Sequence, residues 1–242
     1  MKKLAILIPS YKRQEVLNTT LRGLYEYTSI YEGYDVSISV GLNQASTSEI
    51  DMVDKYDISF EEKGILFHSV YYESNIGKAN ILNTLFKLYG HHSDYIITMD
   101  NDMVISEPWL YHIGYCDVMD YDIMGFSSSK FWAHDPVRES CAFVGIGEHL
   151  FYTPYSVAGG MMLFHNQFLA THSWTNHGGV YGCDDATMCL HTMKKYVLHS
   201  DRDWLVHDPL NSSTPQLKIY EDKKKELYRN GTVIFPVGWD EN

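Results

Sequence analysis

Apolar residues in this chain fall into short runs that alternate with amphipathic stretches. Leu4 to Pro9 is continuously apolar and ends in a Pro-Ser turn, the signature of a strand buried on both faces. Glu15 to Tyr27 follows with Val16, Leu17, Leu21, Leu24 and Tyr25 at helical spacing, so a strand feeds a helix. The same reading predicts strands over Val36 to Leu42, Ile65 to Tyr71 and Tyr95 to Met99. It also predicts a helix over Ile76 to Tyr89, closed by Gly90. Strands alternating with helices imply a mostly parallel sheet with helices on both faces, an α/β fold. Beyond about residue 105 the pattern loosens: a helix is predicted over Trp109 to Met119, strands over Tyr121 to Phe126 and Val157 to Phe164, and a charged helix over Lys218 to Arg229.

At 242 residues and 45% apolar composition the chain can bury a full core. No repeat or Pro/Ser-rich linker divides it, so one domain is expected. The tail from Gly231 to Asn242 would fold back over the site as a lid. No run approaches the roughly 18 to 20 apolar residues of a membrane span. The opening Met1 to Arg13 imitates a signal peptide, but its apolar core is too short and polar residues stand where a cleavage site belongs. Cys116, Cys141, Cys183 and Cys189 form no CxxC pair, which suits reduced thiols. A soluble, cytoplasmic protein is therefore expected. A net charge of −12 disfavours a broad nucleic-acid-coating surface.

In parallel α/β sheets ligands collect at the carboxyl ends of the strands. The residues there are Ser10-Tyr11-Lys12-Arg13, Asn43-Gln44, Glu73-Ser74-Asn75 and Asp100-Asn101-Asp102. Two carboxylates one residue apart after a buried strand suit Mg²⁺ or Mn²⁺ bridging a diphosphate, although an acidic turn bonding its own backbone has the same composition. Asn75-Ile76-Gly77-Lys78-Ala79-Asn80 opens a helix after a strand and offers free N–H groups and a lysine to an anion; a plain Asn-Gly turn is the alternative. It is neither a Walker loop nor GxGxxG. Gly182-Cys183-Asp184-Asp185 places two carboxylates at a helix start, as caps or as a general base. His207 follows the apolar Trp204 to Val206 at another strand end. His91, His92, His172 and His177 show no ligand spacing, whereas Trp132 and Trp174 are candidate sugar-stacking platforms.

Taken together and in order, Ile8-Pro9-Ser10-Tyr11-Lys12-Arg13, Asn75-x-Gly77-Lys78-Ala79, Asp100-Asn101-Asp102, Ala158-Gly159-Gly160, Gly182-x-Asp184-Asp185 and His207 resemble glycosyltransferase family 2 and its GT-A relatives. The resemblance runs over most of the chain and implies a nucleotide-binding half over 1–105 and an acceptor-binding half over 106–242. It implies a single GT-A domain and a metal-dependent transferase that moves a sugar from a nucleoside-diphosphate sugar, UDP first, to an acceptor hydroxyl with inversion. Pro9, Tyr11, Arg13, Asn43, Gly77, Lys78, Asp100 and Asn101 would bind the donor. Asp102 and His207 would hold Mn²⁺ or Mg²⁺, and Gly159, Gly160, Trp132 and Trp174 would line the acceptor side. Asp185, with Asp184 beside it, would be the catalytic base. The acceptor classes are glycan, lipid, protein and the modified bases of nucleic acid. The chain departs from the family's common Asp-Asp-Gly-Ser at Asn43-Gln44-Ala45, which opens the identity of the base. A nucleotidyltransferase and a non-catalytic sugar-nucleotide-binding module are the competing readings.

Overall fold

The computed structural model describes residues 1–29, 33–128, 143–146, 149–154, 157, 160–175, 184–200 and 202–207. Its first half is built from β1 (Lys2–Tyr11), α1 (Gln14–Tyr27), β2 (Tyr34–Asn43), α2 (Thr47–Glu62), β3 (Leu66–Tyr72), α3 (Lys78–Leu85), β4 (Tyr95–Met99) and β5 (Met103–Ile105). The second half adds α4 (Leu110–Cys116), β6 (Ile123–Ser128), β7 (Phe143–Ile146), β8 (His149–Tyr152), β9 (Met161–His165), α5 (Asn166–Leu169), α6 (Asp184–Leu190), β10 (Lys195–Ser200) and β11 (Leu205–His207).

One sheet takes strands from both halves in the order β3-β2-β1-β4-β9-β6-β10-β8-β7. The parallel pairings are β3 with β2, β2 with β1, β1 with β4, and β6 with β10. Strand β9 runs antiparallel to both β4 and β6, and β8 antiparallel to β10 and β7. Seven of the nine strands therefore point one way, with β9 and β8 reversed. A separate two-stranded sheet pairs β5 with β11.

The apolar run of β1 is buried on both faces because successive side chains point to opposite sides. Leu4, Ile6 and Ile8 join the core beneath α1, α2 and α4, whereas Ala5 and Leu7 join the core beneath α3, α5 and α6. Helices α1 and α2 thus cover one face and α3 the other. Gly23 brings α1 close to β5: a Cβ there would lie 2.5 Å from the Ile105 carbonyl oxygen.

Several predicted elements are shifted or joined by others. The expected helix from Ile76 starts at Lys78, because Gly77 takes φ +85°, and its last turn, Phe86–Gly90, is π-helical. The strand expected from Val157 begins at Met161. Helix α2 carries little apolar periodicity, since only Glu49, Val53 and Phe60 of its sixteen residues are buried. Cys116 and Cys189 are buried free thiols. The expected helix from Lys218 and the tail from Gly231 lie outside the described residues.

Candidate functional site

Strand order reverses between β1 and β4, because the connections through α1 and α2 cross one face while the connection through α3 crosses the other. Parallel sheets open a crevice at such a switch point, outside the carboxyl ends of the strands. Here that crevice is bordered by Tyr11–Arg13 after β1, Asn43 at the end of β2, the loop before α3, and Asp100–Asp102 after β4.

Two ion pairs cross it. The Arg13 guanidinium donates to Asp102 Oδ2 at 3.1 Å, with side chains 23% and 10% exposed. Lys78 Nζ sits 2.7 Å from Asp100 Oδ1. Both carboxylates of the acidic turn are therefore held by cations. Arg13 lies on the acidic turn.

A buried polar chain supports the turn from below. Asn101 Nδ2 donates to Ser10 Oγ at 2.9 Å, and Thr20 Oγ1 donates to the Asn101 carbonyl at 2.7 Å. Asn101 is 7% exposed. Its amide nitrogen thus braces β1. Glu49 is buried beside Ser10, whose hydroxyl reaches its carboxylate at 3.5 Å. Burial raises the Glu49 pKa, and hydrogen bonds from the Arg13 backbone N–H, the Ser10 hydroxyl and the Ser46 backbone N–H work against that shift. Ser46 in turn accepts from the Glu49 N–H at 3.2 Å, completing a capping box at the start of α2. The Ser46-x-x-Glu49 spacing was the available signal for this missed residue.

Other expected residues distribute as follows. Pro9 is buried within β1, in register with Gly41. Tyr11 is partly exposed at the strand end, its hydroxyl 3.5 Å from Gln44 Oε1. Asn43 is in register with Tyr11 on one side and Tyr72 on the other, and its Oδ1 accepts from the Ile76 N–H at 3.1 Å. The Gly160 carbonyl accepts from the Asp100 N–H at 2.8 Å, which brings Gly160 to the acidic turn. Asp185 is half-buried at the start of α6. Gly159 and Trp132 lie outside the described residues, as do the side chains of Asp184 and His207.

Trp174 is not a stacking platform. It is 3% exposed, edge-on to Phe86 and Phe164, and its backbone N–H and carbonyl are both bonded to the Asn83 side chain.

The backbone places His207 usefully. It pairs with Met103 across the β5–β11 ladder, one residue from Asp102. Among the described side chains no group of three or more His, Cys, Asp or Glu converges on a metal position.

A groove of about 850 Å³ lies at the opposite end of the sheet, lined by Lys2, Asp94, Tyr95, Asp122, His165 and Lys194 among others. Its charges are internally engaged, Lys2 with Asp117 at 2.6 Å and Lys194 with Asp120 at 2.9 Å. It lies away from the carboxyl ends of the strands, where ligands of parallel sheets collect.

No family profile matches the sequence, and no curated protein sequence does. Solved structures do match. A mannosyltransferase, PcManGT from Pyrobaculum calidifontis, in complex with GDP-Man and Mn²⁺, superposes with a TM-score of 0.67 at 13% identity over 93% of this chain and 64% of that one. The fold is that of the GT-A glycosyltransferases. Two further GT-A neighbours agree. S. aureus TarS 1-349 in complex with UDP gives a TM-score of 0.64 at 13% identity over 86% of this chain and 60% of that one. GalNAc-T7 with UDP, GalNAc and Mn²⁺ gives 0.58 at 11% identity over 98% and 52%. The chain spans less than two thirds of each of these structures. Among its described residues no helix is long and apolar enough to cross a membrane.

Proposed function

We propose that this GT-A chain is a metal-dependent glycosyltransferase that moves a sugar from a nucleoside-diphosphate sugar to an acceptor hydroxyl, with inversion. The carrying observation is the acidic turn at the switch point of the sheet, with Lys78 and Arg13 on its two carboxylates and His207 in register beside it. The ligands of its structural neighbours, UDP, GDP-Man and Mn²⁺, support the same reading.

In this reading Asp102 and His207 would hold Mn²⁺ or Mg²⁺, which would supply positive charge against the diphosphate. Lys78 and Arg13 orient that diphosphate and add to its neutralisation. Asp185 removes the proton from the acceptor hydroxyl as its oxygen attacks the anomeric carbon. The new C–O bond forms on the face opposite the old one, and the electron pair of the broken bond leaves with the nucleoside diphosphate. The acceptor is a hydroxyl of a glycan, lipid, protein or modified nucleic-acid base.

Calorimetric titration of nucleoside diphosphates and their sugars, with Mn²⁺ and then with chelator, tests the assignment. Metal-dependent binding is expected, weakened by Asp102→Ala and left largely intact by Asp185→Asn, which should abolish transfer. Normal transfer by Asp185→Asn would remove that residue from the base role. Absence of binding by every nucleotide would overturn the proposal as a whole.

A further inference from the structure

The hydrogen-bond polarity at the end of β2 bears on which base the crevice accepts. Asn43 is 3% exposed, and its orientation is set by chemistry: the Ile76 N–H 3.1 Å away can only donate, so the amide oxygen must face it. The amide nitrogen is then turned to the other side. Nδ2 has no hydrogen-bond partner among the described residues and is not sealed in the interior. With Tyr11 and Tyr72 flanking it in register, this donor stands at the strand ends that border the crevice.

We infer that Asn43 is a specificity-determining residue that selects a base whose pairing edge carries an unprotonated ring nitrogen, cytosine or adenine, over uracil or guanine. The inference rests on reading the crevice as the nucleotide site. An aspartate at this position would accept from Ile76 with one oxygen and offer the second to a ring N–H, as uracil and guanine present. Asparagine keeps the first bond and reverses the second. A ring N–H placed opposite Nδ2 would set two donors against each other, and leaving buried donors unmatched is what makes polar sites discriminate strongly.

The test is calorimetry on the full chain with Mn²⁺ and four ligands: CDP, UDP, ADP and GDP. Whichever pair, pyrimidine or purine, binds more tightly identifies the ring size. Within that pair the member with the unprotonated nitrogen is expected to bind at least tenfold tighter, and Asn43→Asp is expected to reverse the order. Thermal melting checks that the variant is folded; if it is not, the wild-type ratio decides alone. UDP or GDP matching or exceeding its partner in the wild type overturns the inference while leaving the nucleotide site standing. No binding by any of the four overturns the site itself.

Discussion

Arg13→Ala separates what the Arg13–Asp102 pair contributes to the fold from what it withholds from a metal. The two groups lie 3.1 Å apart with side chains 23% and 10% exposed. Exposed pairs contribute about 0–1 kcal/mol, whereas removing one member of a fully buried pair costs about 3–5 kcal/mol. Partial burial puts this pair between those limits, so a loss of about 2 kcal/mol is expected in chelator. A domain of this size shifts its Tm by roughly 2–4 °C per kcal/mol, which makes the drop about 4–8 °C. Under the proposed metal role the same substitution frees Asp102 from a competing cation. Recovering about 2 kcal/mol on binding would tighten the metal roughly thirtyfold, at about 1.4 kcal/mol per factor of ten. The assay is thermal melting of both proteins across a Mn²⁺ series: the variant should start lower in chelator and reach half of its metal-induced rise at a lower concentration. An unchanged Tm in chelator would show that the pair contributes nothing measurable. A metal midpoint equal to or above that of the wild type would refute the competition.

Two other substitutions probe the scaffold. His112 is fully buried, with Nδ1 2.7 Å from His149 Nε2 and its ring stacked on Trp204; burial first, then His149 and Arg202, lower its pKa from 6.5 to about 3. The unfolded chain therefore takes up a proton that the folded chain refuses, and stability present above about pH 6.5 is lost as pH falls towards 3, at about 1.4 kcal/mol per unit. Melting curves from pH 7 to 5 should show a loss of about 2 kcal/mol that His112→Gln flattens; parallel curves would exclude His112 as the source. Trp174→Ala should cost about 3–5 kcal/mol by opening a cavity between Phe86 and Phe164, with nucleotide affinity below the melting range unchanged. A raised acceptor KM in a variant of normal Tm would return Trp174 to the acceptor side.

The legible parts of this fold are those in which one residue pattern admits one packing. The apolar runs of β1 and β4 are too short for membrane spans and too continuous for one-sided strands, so they could only be central strands. The motifs after them were recognisable as a set because strand ends converge in space even when they are far apart in sequence, as Arg13 and Asp102 do. Helix α2 was not legible, since a helix that buries three of sixteen residues leaves almost no periodic signal. The inward turn of Asn101 and the burial of Trp174 depended on partners such as Ser10 and Asn83, which the linear pattern does not point to. Asn43 was visible as a departure, but its donor face became apparent only once Ile76 was placed opposite the oxygen.

The β5–β11 ladder gives the acidic turn a timetable. Strand β5 has α1 against it through Gly23, but its strand partner arrives only with Leu205–His207, about 100 residues after Asp102. At roughly 5–20 residues per second of synthesis, β5 waits about 5–20 s with an open edge. During that interval β1 to β4 can already form their crevice, yet His207 is not in place beside the acidic turn. Under the proposed function, a nascent chain would acquire the means to hold a nucleotide before the full means to act on it, with completion of the ladder as the passage from one condition to the other.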